Sequence, residues 1–326
     1  MAPVLTGALA PDAVLLGVAV AADLAIGDPS YPAHPVRLMG RALSAIERGL
    51  RRAGVDGYGG GIVLFLVLGG FWVGIAGAVV LGAALVRPGL ARVVHLFLLY
   101  SLLALGDLVR HAGRVERALR RADLPAARTA VSCLVGRDTD HMDEGACRRA
   151  AIESLSENLT DGFISPIFWY VIAGLPGIVL FKVVSTMDSM VGYKTPPYLH
   201  FGWCGARLDD LMNWVPARLT WLLLALTAVL VPGCSVLSAL RVGWTQHGIL
   251  PSPNSGWSEA ATAGAIQRRL VGPIWMQGRL VTDVWLGDPA FPPTETAADY
   301  RRATALVVGC GVLASAMAIA VLALSH

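Results

Sequence analysis

Apolar residues in this chain fall into long uncharged windows. Residues 57–86 carry no charge, and their centre, GGIVLFLVLGGFWVGIAGAVVLGAALV, exceeds the roughly 20 apolar residues that a helix needs to cross a hydrocarbon core. Gly70 and Gly74, with Ala78 one turn on, form a small-residue stripe suited to close helix packing. Residues 219–240 and 303–325 are also charge-free and long enough to span. Two windows are weaker: 11–27 is interrupted by Asp12 and Asp23, and 93–106 has only 14 residues before Asp107. The uncharged stretch 162–181 contains Pro166 and Pro176, which remove backbone donors and bend or break helices. The pattern predicts an all-α, polytopic membrane fold of about five or six segments, one of them broken.

Between these windows the periodicity changes. LVRHAGRVERALRRADL and DEGACRRAAIESLSEN, both within 107–161, place apolar residues at three- and four-residue intervals and read as helices. With no Pro/Ser linker and no internal repeat, residues 1–326 read as one integrated domain carrying this helical loop insertion.

Composition agrees. The chain of 326 residues is 55% apolar and 15% charged, with a mean hydropathy of +0.60, against about 25% charged in soluble domains. A net charge of +3 is too small to make nucleic acid a partner. Five isolated cysteines suit neither a disulfide framework nor a zinc site. No basic stretch precedes the first charge, Asp12, so no cleavable signal peptide is expected. If 57–86, 93–106, 162–181 and 219–240 each cross once, loops 27–56, 107–161 and 241–302 share a side. Those loops hold 20 of the 26 basic residues, which predicts that they face the cytoplasm.

With charge so scarce, its clusters are informative. Glu153, Glu157 and Asp161 recur at four-residue intervals on one helical face. Like charges at that spacing repel, so the face reads either as a site for Mg²⁺ or an ammonium, or as a solvated face offset by Arg148 and Arg149. STMDSMVGYK, residues 185–194, sets Asp188, Ser189 and Lys194 at a membrane boundary, where ionisable groups are costly. Lys194 is one of only two lysines beside 24 arginines. It suits a phosphate as a compact charge, or snorkels to the interface. In GARLDDLMNWVPAR, Asp209 and Asp210 point about 100° apart on a helix, and Arg207 is placed to pair with Asp210. GDPSYPAHPVRLMG, residues 27–40, brings Asp28, His34 and Arg37 into a proline-rich loop, and Ser252, Asn254 and Ser255 lie in PSPNSG, an anion nest or a plain turn. A P-loop, HExxH and GxSxG are absent, and Gly309-Cys310-Gly311 follows no strand.

Taken in order, GDPSYPAHPVRLMG, GRDT (136–139), RRAAIESLSENLTDGFISPIFWY (148–170), STMDSMVGYK, ARLDDLMNWVPARLT and SPNSGWSEAATAGA resemble the CobD/CbiB family of adenosylcobinamide-phosphate synthases, membrane proteins of adenosylcobalamin biosynthesis. The resemblance covers residues 23–285. It implies ATP-dependent joining of a carboxylate of adenosylcobyric acid to the amine of aminopropanol phosphate, a C–N ligase reaction. Such chemistry needs Mg²⁺ at the phosphates, a base for the amine and donors for the substrate phosphate. On that scheme Asp28, His34, Glu153, Asp161 and Asp188 are catalytic candidates. Arg37, Asn158, Ser189, Lys194, Arg207, Ser252, Asn254 and Ser255 suit substrate and phosphate, and Glu157, Asp188 and Asp210 suit metal. Three positions depart from the family pattern: Ser185 replaces an Asn, Thr262 a Met, and Trp275 stands near a usual Tyr. The inner membrane is the implied location, with the active site on the cytoplasmic side, and a homo-oligomer or other corrinoid-pathway enzymes are conceivable partners. A transporter or a non-catalytic membrane sensor related to the same family is the alternative, since a broken helix beside ionisable groups also suits transport.

Overall fold

The computed structural model describes residues 7–27 and 31–325. Two compact units are built from interleaved stretches. Unit 1 takes residues up to 104, 165–213 and from 315 onward, and unit 2 takes 105–164 and 214–314.

Unit 1 begins with α1 (Ala13–Ile26), whose N-terminus Asp12 caps by accepting the Val14 and Leu15 N–H groups at 2.8 and 2.9 Å. α2 (Pro35–Arg52) starts on a proline, which costs nothing in the first turn of a helix. α3 (Gly57–Val86) is the clearest membrane helix: 30 residues, or about 45 Å. It packs on α4 (Pro88–Tyr100) and on α8 (Ser165–Val191), and α8 in turn packs on α9 (Trp203–Met212).

The expected break in 162–181 is present, and its place is specific. Helical geometry is lost at Ala173 and Gly174, where Gly174 has φ +60°. The Pro176 ring cannot sit against the carbonyl four residues earlier, so the turn opens, and the Leu175 N–H donates to Leu9 O at 3.0 Å. A side chain on Gly174 would run into that same carbonyl. Pro166 breaks nothing, because it lies in the first turn of α8. The segment before α1 is further tied down by a chain of hydrogen bonds. The Asp12 N–H donates to the Tyr170 hydroxyl (3.0 Å), which pairs with His95 Nε2 (3.1 Å), while His95 Nδ1 pairs with Ala8 O (3.0 Å).

Unit 2 contains α5 (Leu105–Leu119), α6 (Leu124–Ser132) and α7 (Glu144–Leu159), followed by a π turn at Thr160–Ile164. After α10 (Trp214–Thr227) come α11 (Val236–Gln246) and α12 (Ser255–Ile266). The Ala- and Gly-rich α12 is almost wholly buried. A Cβ on Gly264 would strike α11 at Ser238 O, so the two helices meet backbone to backbone there. An antiparallel hairpin follows, β1 (Leu270–Met276) and β2 (Arg279–Leu286), turned by Gln277-Gly278 with both residues at positive φ. The last helix is α13 (Ala297–Leu324), whose residues to Ala314 belong to unit 2.

Among the described residues, four helical stretches are long and apolar enough to cross a membrane: Gly57–Val86, Pro88–Leu119, Glu144–Val191 and Ala297–Leu324. Ala13–Ile26 and Trp214–Thr227 are shorter apolar helices. This is a polytopic helical membrane protein. The 219–240 window, however, is not one span. α10 is 14 residues, about 21 Å, and the chain then turns through Pro232 and Gly233 (φ +79°) before Ser235 caps α11. The hairpin is a second departure from the purely helical reading.

Candidate functional sites

In unit 1 the acidic residues gather where the end of α8 meets α9. Gly205 allows that approach, since a Cβ there would lie 2.9 Å from Met187 Cβ. Asp188 from α8 and Asp209 from α9 interact, and Asp210 adds to the negative field around Asp209. The Asp209 carboxyl is pushed up to about 7 by burial and by the Asp188 charge. Its Asn213 partner, which donates from Nδ2 at 2.9 Å, holds it down in part. Asn213 is itself buried and accepts from Ser165 Oγ at 2.5 Å, so the amide that orients Asp209 is fixed from both sides. Burial also raises Asp210, against the pull of Arg207 and Lys194. The Arg207–Asp210 separation is 3.7 Å. Buried Lys182 faces the same group and favours the ionised Asp209.

Of the sequence candidates in this unit, Asp188, Asp210, Arg207 and Lys194 are thus neighbours. Ser189 is exposed, with its hydroxyl donating to Ser185 O at 2.9 Å. Arg37 is exposed on α2. His34 is the buried residue before that helix, its ring 5.2 Å from Tyr31 in edge-to-face contact. Asp28 lies outside the described residues. Asp209, Lys182 and Asn213 belong to the cluster although the sequence reading did not select them.

In unit 2 the acidic face of α7 takes a form the spacing did not foresee. Glu153 is buried and satisfied by protein groups: Arg137 Nη2 donates at 2.5 Å and the Val271 N–H at 2.8 Å. The offsetting cation is therefore Arg137, from the GRDT block. Arg148 instead binds Glu116 (2.9 Å) and Glu295 O (2.6 Å). Glu157 continues the α7 face, whereas Asp161 falls in the π turn, which breaks the four-residue register. Asn158 donates to Ser154 O at 2.9 Å. Buried Glu259 on α12 completes the group. Burial, with Glu157 and Glu153 nearby, holds its carboxyl well above the usual range.

The neighbouring Asp138 fastens the hairpin turn by accepting the Gln277 and Gly278 N–H groups at 3.1 and 2.7 Å. The predicted nest at 252–256 is closed from within. Ser252 Oγ takes the N–H groups of Asn254 (3.2 Å) and Ser255 (3.3 Å), which leaves neither for an outside anion. Among the described residues no group of three or more His, Cys, Asp and Glu is placed to hold a metal ion. The three metal candidates also divide between units, Glu157 in unit 2 and Asp188 with Asp210 in unit 1.

A family model described as "CobD/Cbib protein" matches residues 16–307. Cobalamin biosynthesis protein CobD of Geobacter metallireducens is 42% identical over 94% of this chain and 94% of its own length. CobD of Rhizobium meliloti is 39% identical over 95% and 97%. Cobalamin biosynthesis protein CbiB of Salmonella typhimurium is 40% identical over 82% and 84%. No solved structure matches.

Proposed function

This chain belongs to the CobD/CbiB family, and from that premise we propose that it acts in cobalamin biosynthesis as an adenosylcobinamide-phosphate synthase. The observation that carries this reading is the match along nearly the whole length to relatives named for cobalamin biosynthesis. In the proposed reaction, a carboxylate oxygen of adenosylcobyric acid takes the γ-phosphoryl group of ATP and releases ADP. The amine of aminopropanol phosphate then attacks that acyl carbon, the C–N bond forms, phosphate leaves, and the ammonium proton passes to a base.

The unit 1 cluster suits such chemistry. A carboxyl held near 7, as Asp209 is, exchanges a proton readily at neutral pH. Asp188 beside it supplies charge for an incoming ammonium. Mg²⁺ typically takes one or two protein carboxylates and draws its other oxygens from phosphates and water. Asp188 and Asp209, two neighbouring carboxylates, fit that demand better than a complete protein cage. The ion would neutralise charge on the ATP phosphates. Lys194 and Arg207, both exposed beside Asp210, are the phosphate donors of this unit. The cytoplasmic face of the cell membrane is the proposed site of action.

The kinked α8, with carboxylates at its end, also suits a permeation path, and one experiment separates the two readings. A corrinoid-requiring strain lacking its own synthase should grow on cobyric acid when it carries this gene. Asp188→Asn and Asp209→Asn should each reduce condensation in isolated membranes by at least tenfold. Growth on cobinamide but not on cobyric acid would remove the synthase and leave the transporter and sensor readings.

A further inference from the structure

Beside the hairpin in unit 2 is a cavity of about 190 Å³, lined by Arg137, His141 and Arg149 on one side and by Val271, Pro273 and Trp275 on the other. Its carboxylates already serve the backbone. Asp138, in its wall, takes two hairpin N–H groups, and Asp143 accepts the Ala146 N–H at 2.6 Å as the cap of α7. Two of its cationic donors are unmatched. Arg149 Nε is buried without a hydrogen-bond partner, and among the described residues this guanidinium has no ion pair either. It stacks 5.1 Å over the Trp285 ring, and Glu153, Asp143 and Glu295 act on it only across longer distances than an ion pair. Arg137 has a side chain only 8% exposed and gives Nη2 to Glu153, yet its Nε is also buried and unmatched. A buried donor left unmatched is costly, more so when charged, so two at one cavity call for an acceptor from outside the chain. The first turn of α7 borders the same space, and its dipole favours a negative charge.

Size narrows the ligand. Pockets for drug-sized molecules run to about 300–1,000 Å³, so the 190 Å³ here matches a small anionic group rather than a whole large ligand. We propose that this cavity is an oxyanion subsite that takes the phosphate of a small phosphomonoester, with Arg149 as its principal ligand, Arg137 and His141 as supports, and the Val271–Pro273–Trp275 wall against a short aliphatic chain. The identification of that ester as the aminoalkyl phosphate rests on the synthase reading; the oxyanion site itself does not. Arg149 and Arg137 give the site its donors, and Trp275, where the family pattern has a tyrosine, gives it an apolar face.

The test uses the full-length protein in a maltoside detergent, which carries no phosphate of its own. Inorganic phosphate, aminopropanol phosphate, aminopropanol and Mg·ATP are titrated separately by calorimetry and by thermal unfolding. Phosphate and aminopropanol phosphate are expected to bind and raise the Tm, and aminopropanol is not. Arg149→Gln weakens binding at least tenfold, Arg149→Lys less, and exposed His141→Ala least. No binding of either phosphate compound to the unaltered protein overturns the proposal, and so does unchanged affinity in Arg149→Lys and Arg149→Gln. Binding of Mg·ATP that requires Arg149, with none of aminopropanol phosphate, overturns it as well. If phosphate binds as expected while no condensation occurs, the synthase reading fails and the subsite stands. If condensation proceeds with an unchanged KM for aminopropanol phosphate in Arg149→Gln, the subsite fails and the synthase reading stands.

Discussion

Asp209 and Glu153 show two ways in which this chain tolerates a carboxylate away from water. Asp209 holds its proton up to near-neutral pH: its carboxyl is held at about 7, against an ordinary aspartate value near 3.9. A raised folded-state value means that ionisation penalises the native state. The stability this group contributes is therefore complete below about pH 4 and is lost as pH rises toward 7. Asp209→Asn should remove that dependence, so the loss of Tm between pH 5 and 8 should be smaller in the variant, as thermal unfolding across pH would show. Added Mg²⁺ should restore the wild-type Tm at pH 8 if the ionised pair holds a cation. Glu153 is instead matched by Arg137 and the Val271 N–H. Removing one partner of a buried pair typically costs about 3–5 kcal/mol, and Glu157 and Glu259 lie close by to aggravate it. Arg137→Met should therefore lower the denaturation midpoint strongly. Glu153→Gln should lower it less, because the amide oxygen still accepts from Val271.

At the scale of elements, the kink in α8 is the feature with the sharpest consequence. Gly174→Ala places a methyl group against Leu9 O at positive φ, which relief elsewhere cannot accommodate without moving the segment before α1. Pro176→Ala only restores a backbone donor. The first substitution should lower the Tm by several degrees and the second by little, a contrast that differential scanning fluorimetry would reveal. The long helices were legible because an uncharged window of 57–86 admits hardly any other structure. The 219–240 window misled, since hydropathy averaged across Pro232 and Gly233 hides the turn they make. The hairpin escaped because Gln277-Gly278 is a weaker turn signal than Asn-Gly. The site divided in the same way. Asp188 was legible as a costly charge at a membrane boundary, and Asp210 as the partner of Arg207. The choice of Asp209 over Asp210 as the inward carboxylate depends on how α9 seats through Gly205, which no spacing rule contains. The partner of Glu153 is Arg137, 16 residues away and on no common helix face, so a reading by four-residue intervals could not find it.

For the whole molecule, the open question with a decisive measurement is which side of the membrane the 107–161 segment faces. The basic residues argue for the cytoplasm: that segment and loop 27–56, which two crossings separate, hold 14 of the 26. Long loops obey that rule loosely, so a direct label is needed, and the chain carries one. Cys133 on the segment is exposed, whereas Cys147, Cys204 and Cys310 are buried. A membrane-impermeant maleimide should therefore mark Cys133 in inverted membrane vesicles and leave it unmarked in intact cells with a permeabilised outer layer. Cys133→Ser should abolish most of the signal. ATP is held on the cytoplasmic side, so labelling from the outside alone would put the Arg137–Arg149 cavity and the Glu153 group beyond the reach of the nucleotide. The proposed ATP-dependent condensation could then not use them. Labelling from the inside alone places Arg149 on the side where its phosphate ester and ATP are both available.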